Sequence, residues 1–282
     1  MLEQSRLYSF LDSKSGFAIH FLDGQHLIHD LALIHDIPGP AFAYLRDAFL
    51  GFMPVISFLK PGENLGIYID SETPYFRFKI ETNHGGQTRT LLLPENFSQF
   101  PLKISGSARV AKQFPGNRAP YTSIVEFSQS ESKDLVNQII RESYQVTAEV
   151  VVSEAADQSI LVSKLPPINV NQHNLGDETP SLKAYLKKNH AFFHDIFDEH
   201  LSDVQKVVSA FEAGPYAYLS SRQVTLTCPC SQDHMVGNLR MLYAADLDHL
   251  FADGDPISVK CDYCKKNYHI TRAEIAKAPL QN

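Results

Sequence analysis

The chain has 282 residues, room for one large domain or two to three smaller ones, and its 44% hydrophobic content is that of a globular protein rather than a disordered one. A formal net charge of −7 repels phosphate backbones and argues against nucleic acid as a partner. No run of ~20 apolar residues marks a membrane span, and the opening Met1-Leu2-Glu3-Gln4-Ser5-Arg6 lacks a basic stretch followed by an apolar core, so neither membrane insertion nor secretion is expected and a cytoplasmic address follows by elimination.

In chain order, residues 42–59 place Phe42, Leu45, Phe49 and Phe52 at helical spacing, and Pro54 should kink or end that helix. Strand signals follow at 64–70 and 75–82. In the second, Tyr75, Arg77, Lys79 and Glu81 alternate with Phe76, Phe78 and Ile80. Asn83-His84-Gly85-Gly86 is a turn, and 87–93 is the partner strand. Further strands are expected at 123–127, 145–152 and 159–164, with a helix over 133–142 between the first two. This predicts an α+β class with an antiparallel N-terminal sheet that has one wet face.

Residues 165–178 carry proline, asparagine and glycine without periodicity and mark a boundary. Thr179 then reads as a helix N-cap with Pro180 at the first helical position, and Gly214-Pro215 as a stop. Between them lies a broad apolar face that includes Leu182, Tyr185, Phe193, Phe197, Val204 and Phe211. It fits two helices or one bent helix and must dock on something. The organisation is therefore an α+β core domain at 1–174, a helical linker at 175–222 and a small metal-binding domain at 223–282.

All four cysteines lie in that last segment, as Cys228-Pro229-Cys230 and Cys261-Asp262-Tyr263-Cys264. Clustered thiols in a chain without a secretory signal read as a metal site rather than as disulfide staples. Residues i and i+2 of an extended chain point to one side, so Cys228 and Cys230 can aim at one point, and a turn brings Cys261 and Cys264 together. Four thiolates complete a tetrahedral zinc shell with no open position. His234 and His269 stand nearby, but four sulfurs already close that shell. The spacing fits plain structural zinc best and leaves a redox switch open, because zinc keeps sulfurs in the thiolate form that oxidants attack.

The run Thr227-Cys228-Pro229-Cys230-Ser231, the leucines Leu239, Leu242, Leu247 and Leu250, and Val259-Lys260-Cys261-Asp262-Tyr263-Cys264 with Tyr268 four residues on resemble the C-terminal domain of the 33-kilodalton chaperonin family. Ser132, where the family commonly has glutamine, and Lys265, where many members have glycine, mark a divergent member. The resemblance implies a redox-regulated, ATP-independent holdase that is inactive while reduced and zinc-bound. It implies oxidation that pairs Cys228 with Cys230 and Cys261 with Cys264, release of the single zinc, unfolding of the linker, and capture of unfolding client proteins, often as a homodimer.

Two other readings are a constitutive zinc-ribbon module that binds protein, and a thiol–disulfide oxidoreductase using Cys261 and Cys264. The sequence has no phosphate-binding glycine loop and no Gly-x-Ser-x-Gly elbow, so neither ATP use nor an enzymatic activity is expected. His190 and His194 stand one helical turn apart, but with no carboxylate in the zincin position they read as an exposed pair. His20, His26, His29 and His35 read as ordinary residues.

Overall fold

The computed structural model describes residues 2–72, 74–95, 102–117, 119–166, 179–243 and 246–277. Two units divide the chain, Met1–Leu226 and Thr227–Asn282.

The first unit opens with β1 (Arg6–Asp12), β2 (Phe17–Asp23), α1 (Gln25–Ile34) and α2 (Gly39–Phe52). A 3-10 segment, Met53–Phe58, continues α2 around Pro54, so the proline ends the α-helix as its ring geometry requires. Then come β3 (Asn64–Glu72), β4 (Tyr75–Asn83), β5 (Gln87–Leu93), β6 (Ile104–Gln113), β7 (Tyr121–Ser130), α3 (Ser132–Tyr144), β8 (Ala148–Val152) and β9 (Gln158–Lys164). The expected strand at 145–152 begins late because Gln145 takes the left-handed conformation, φ 53°, and its N–H caps α3 at the Arg141 carbonyl. The unit closes with α4 (Leu182–Asp198), α5 (Val204–Glu212), β10 (Ala217–Gln223) and β11 (Thr225–Leu226).

Among the described residues the strands form a six-stranded sheet, β11-β5-β4-β3-β6-β7, and a five-stranded sheet, β10-β1-β2-β9-β8. All pairings are antiparallel except β11 on β5. The first carries the expected meander: Phe76, Phe78 and Ile80 of β4 are buried, and the alternating residues are more exposed. β1 and β2 were not expected because both of their faces are covered, which erases the period-two signal. Leu7 and Leu22 face a core shared with α1, α2, α3 and the six-stranded sheet. Tyr8, Phe10, Phe17, Ile19 and Phe21 face the other way.

That second face is where the apolar side of the predicted helical segment docks. Tyr185, Phe193, Ile196 and Phe197 of α4 and Val207 and Phe211 of α5 form one cluster with it. Phe10 stacks on Phe211 at 4.1 Å and Phe17 on Tyr185 at 4.0 Å. The Tyr185 hydroxyl donates to Asp12 Oδ2 at 3.0 Å, which satisfies a buried carboxylate from the helix side. The helix begins later than expected: Ser181, not Thr179, is the N-cap, its hydroxyl accepting from the Ala184 N–H at 3.2 Å.

The stretch Gly39–Phe58 also corrects the reading that no long apolar run exists. An 18-residue window of this 20-residue stretch has a mean hydropathy of 1.3, enough by length and composition alone to cross a bilayer. Of its most apolar window, 67% is buried, and Ala41, Leu45, Phe49 and Phe52 belong to the core.

The second unit holds α6 (Gln232–Tyr243), α7 (Leu247–Leu250), a hairpin of β12 (Ile257–Lys260) and β13 (Asn267–Ile270), and α8 (Arg272–Lys277). Its core has Val236, Phe251, Ile270 and Ile275 as its buried apolar residues. A core of that size does not normally hold a unit this short without a covalent or metal tie.

Candidate metal centre

Two local structures in the second unit present the thiols. Cys228 and Cys230 lie just before α6, where the Ser231 hydroxyl accepts from the His234 N–H at 3.2 Å and the Ser231 carbonyl from the Met235 N–H. Cys230 therefore precedes the capping residue of a helix, where the positive end of the backbone dipole favours a thiolate. Its own backbone N–H donates to the Cys228 sulfur.

Cys261 and Cys264 sit in the turn joining β12 to β13. The Cys261 N–H donates to the Lys266 carbonyl and the Lys265 N–H to the Cys261 carbonyl, both at 2.9 Å. The Lys266 N–H donates to the Cys264 sulfur. Lys265 closes the turn at φ 60°, in the left-handed region. The pair is thus held in a hairpin turn rather than at the helix N-terminus that a thiol–disulfide oxidoreductase requires.

The four sulfurs converge to within 4.8 Å of one another. Cys228 Sγ lies 3.8 Å from Cys261 Sγ, and Cys230 Sγ lies 3.1 Å from Cys264 Sγ. A tetrahedron with metal–sulfur distances of ~2.3 Å has an edge of about 3.8 Å, so the cage fits one tetrahedral ion. Disulfide-bonded sulfurs stand ~2.05 Å apart, and these four are free thiols. Cys261 is buried and the other three are part-buried. Among the described residues no other group of three or more metal-ligating side chains converges, so His234 and His269 stay outside the cage.

The sulfurs differ electrostatically. Burial works against a charged Cys230, but hydrogen bonds, first from Tyr268 and then from the neighbouring thiols, outweigh it and bring Cys230 down to about 7. The Tyr268 hydroxyl donates to Cys230 Sγ at 3.0 Å. Burial pushes Cys264 up to about 12 and raises Cys228. Four thiols this close cannot all ionise without a cation among them, which is the demand a divalent metal meets.

The N-terminal histidines have structural partners. His20 meets Ser9 Oγ at 2.9 Å, His35 meets Glu95 at 3.1 Å, and His26 lies 3.3 Å from the Glu3 carbonyl. The four cysteines named from the sequence are the ones that converge, but the sequence assigned no role to Tyr268 or to the Lys266 N–H. The only signal for Tyr268 was its place four residues beyond the last cysteine.

Residues 5–271 match the protein family described as Hsp33 protein. The chain is similar to the 33 kDa chaperonin of Geobacter sulfurreducens, 23% identical over 89% of this chain and 87% of that one. It is similar to the 33 kDa chaperonin of Aquifex aeolicus, 19% identical over 97% of this chain and 89% of that one. The fold is similar to the crystal structure of the 33 kDa chaperonin from Thermotoga maritima, with a TM-score of 0.69 at 13% identity, covering 99% of this chain and 98% of that one.

Proposed function

The chain belongs to the Hsp33 family, and from that premise we propose that this chaperone is an ATP-independent holdase governed by the redox state of Cys228, Cys230, Cys261 and Cys264. When bound, zinc would tie the two cysteine-bearing turns together and supply folding energy that so small a core does not. The convergence of four thiols within 4.8 Å is the observation that carries this reading.

Activation is an oxidation. One hydrogen peroxide transfers an oxygen to a thiolate and its other oxygen leaves as water, and a solvent proton completes the sulfenic acid. The second thiol of the pair then displaces a second water to form the disulfide. Two peroxides close Cys228–Cys230 and Cys261–Cys264, consume all four ligands and leave the small unit without its metal. We read residues 1–174 as the core, 175–222 as the linker and 223–282 as the switch.

The sheet supplies the surface for clients. Lifting α4 and α5 bares two aromatic faces together, Tyr8, Phe10, Phe17 and Phe21 on the strands and Tyr185, Phe193, Phe197 and Phe211 on the helices. Exposed apolar patches of this kind bind the apolar segments of unfolding proteins without nucleotide. The oxidised form would act as a homodimer. The net charge of −7 favours protein clients over nucleic acid.

The test is suppression of client aggregation by the reduced chain and by the chain treated with peroxide and heat. Suppression confined to the oxidised sample supports the switch. Equal suppression by both makes the protein a constitutive binder.

A further inference from the structure

His190 and His194 lie one turn apart on α4, and both side chains are exposed. Their ring centres are 4.2 Å apart with the planes inclined at 36°. The opposite side of the helix is fixed: Tyr185, Phe193 and Phe197 are buried against the five-stranded sheet, and Asn189 is tied to the Tyr185 carbonyl and to the Tyr216 hydroxyl. The His194 ring also meets the buried Phe197 ring edge-on, at 83°. One imidazole is thus braced by a core side chain, and the other stands one helical turn before it.

We propose that His190 and His194 form a two-imidazole chelate for a divalent transition-metal ion of the copper(II) or nickel(II) class on the solvent side of α4. An imidazole nitrogen binds such an ion at ~2.0–2.1 Å, which puts the ring centre about 3.2 Å from the metal. Two centres 4.2 Å apart then subtend about 80° at a shared ion, close to the cis angle of square-planar or octahedral coordination and well short of the tetrahedral angle. A cis angle of that size suits copper(II) or nickel(II) better than the tetrahedral ion of the thiol cage. Among the described residues no third protein donor joins them, so water completes the shell. The chelate spans one helical turn. An ion bound there favours folded α4 over any unfolded form in which the two imidazoles drift apart. The proposal does not depend on the chaperone reading.

The experiment is calorimetric titration of nickel(II) chloride into the reduced, zinc-loaded full chain. Nickel is the probe because copper(II) also oxidises thiols. Two variants accompany it. His194→Gln removes one donor. The exchange His194→Asp with Asp195→His keeps the composition and moves the imidazoles to a five-residue separation. His29→Gln is the control. The wild-type chain should bind one nickel ion at this pair, and both variants should lose it or weaken it at least ~10-fold, while the control titrates as wild type. Nickel should also slow amide exchange over residues 190–194 in the wild type alone. Equal affinity in all four chains, or α4 exchange in the wild type that nickel leaves unchanged, overturns the proposal.

Discussion

The hydroxyl of Tyr268 donates a 3.0 Å hydrogen bond to Cys230 Sγ, the sulfur that is lowered to about 7 while its partner Cys264 is raised. Sulfur ligands depend on such outer partners for their charge and orientation. Tyr268→Phe removes the donor and keeps the ring. Zinc affinity of the reduced chain should fall by roughly 10-fold or more, and peroxide should release zinc faster. A chromogenic chelator follows both. Unchanged affinity and rate would mean that the bond does not hold the ligand.

Lys265 occupies the left-handed region at φ 60° in the turn between Cys261 and the Lys266 carbonyl. A residue with a Cβ pays about 1–2 kcal/mol there, partly offset by the extra freedom glycine has when unfolded. Lys265→Gly should stabilise the second unit by up to about 1 kcal/mol and delay heat-driven loss of metal. Thermal zinc release measures it, and a destabilised variant contradicts it.

Tyr185 and Asp12 join α4 to β1 through a buried hydrogen bond of 3.0 Å. Tyr185→Phe leaves the carboxylate without that donor, at a cost of about 1.5–3 kcal/mol for a bond to a charged group. Amide exchange in α4 should accelerate and binding of an apolar dye should rise in the reduced chain. Exchange as slow as in the wild type would show that the stacking of Phe17 on Tyr185 alone seats the helix.

Burial raises Asp23 from its ordinary value of 3.8 to about 6, against a hydrogen bond from the Gln25 N–H. The folded chain therefore keeps a proton that the unfolded chain releases from pH 4 upward. The contribution is complete below pH 4 and is lost as pH rises through about 6. Asp23→Asn should gain up to about 3 kcal/mol of stability relative to wild type at pH 7 and nothing at pH 4. Urea midpoints of the two chains at both pH values test it, and a gain independent of pH contradicts it.

The two cysteine pairs were legible because each spacing is local, whereas their approach, Cys228 to Cys261 and Cys230 to Cys264, is not. A two-residue and a three-residue spacing each bring sulfurs together without knowledge of the rest of the chain. β4 was legible because one of its faces is wetter than the other, which keeps Phe76, Phe78 and Ile80 in alternation. β1 and β2 were hidden because Leu7 and Tyr8, or Phe21 and Leu22, are buried on opposite sides of one sheet. The apolar side of α4 was plain, but its cover was not. Phe17 and Tyr185 are far apart in sequence, and nothing in either segment names the other. The bond from Tyr268 to Cys230 is non-local in the same way, since it depends on the register of a hairpin of two four-residue strands.

The central claim is tested most directly by counting zinc and thiols together in one sample. The account predicts one zinc per reduced chain, released in step with the loss of Cys228, Cys230, Cys261 and Cys264 as free thiols during peroxide treatment. A reduced chain that carries no metal, or one that retains its zinc after all four thiols are oxidised, contradicts it.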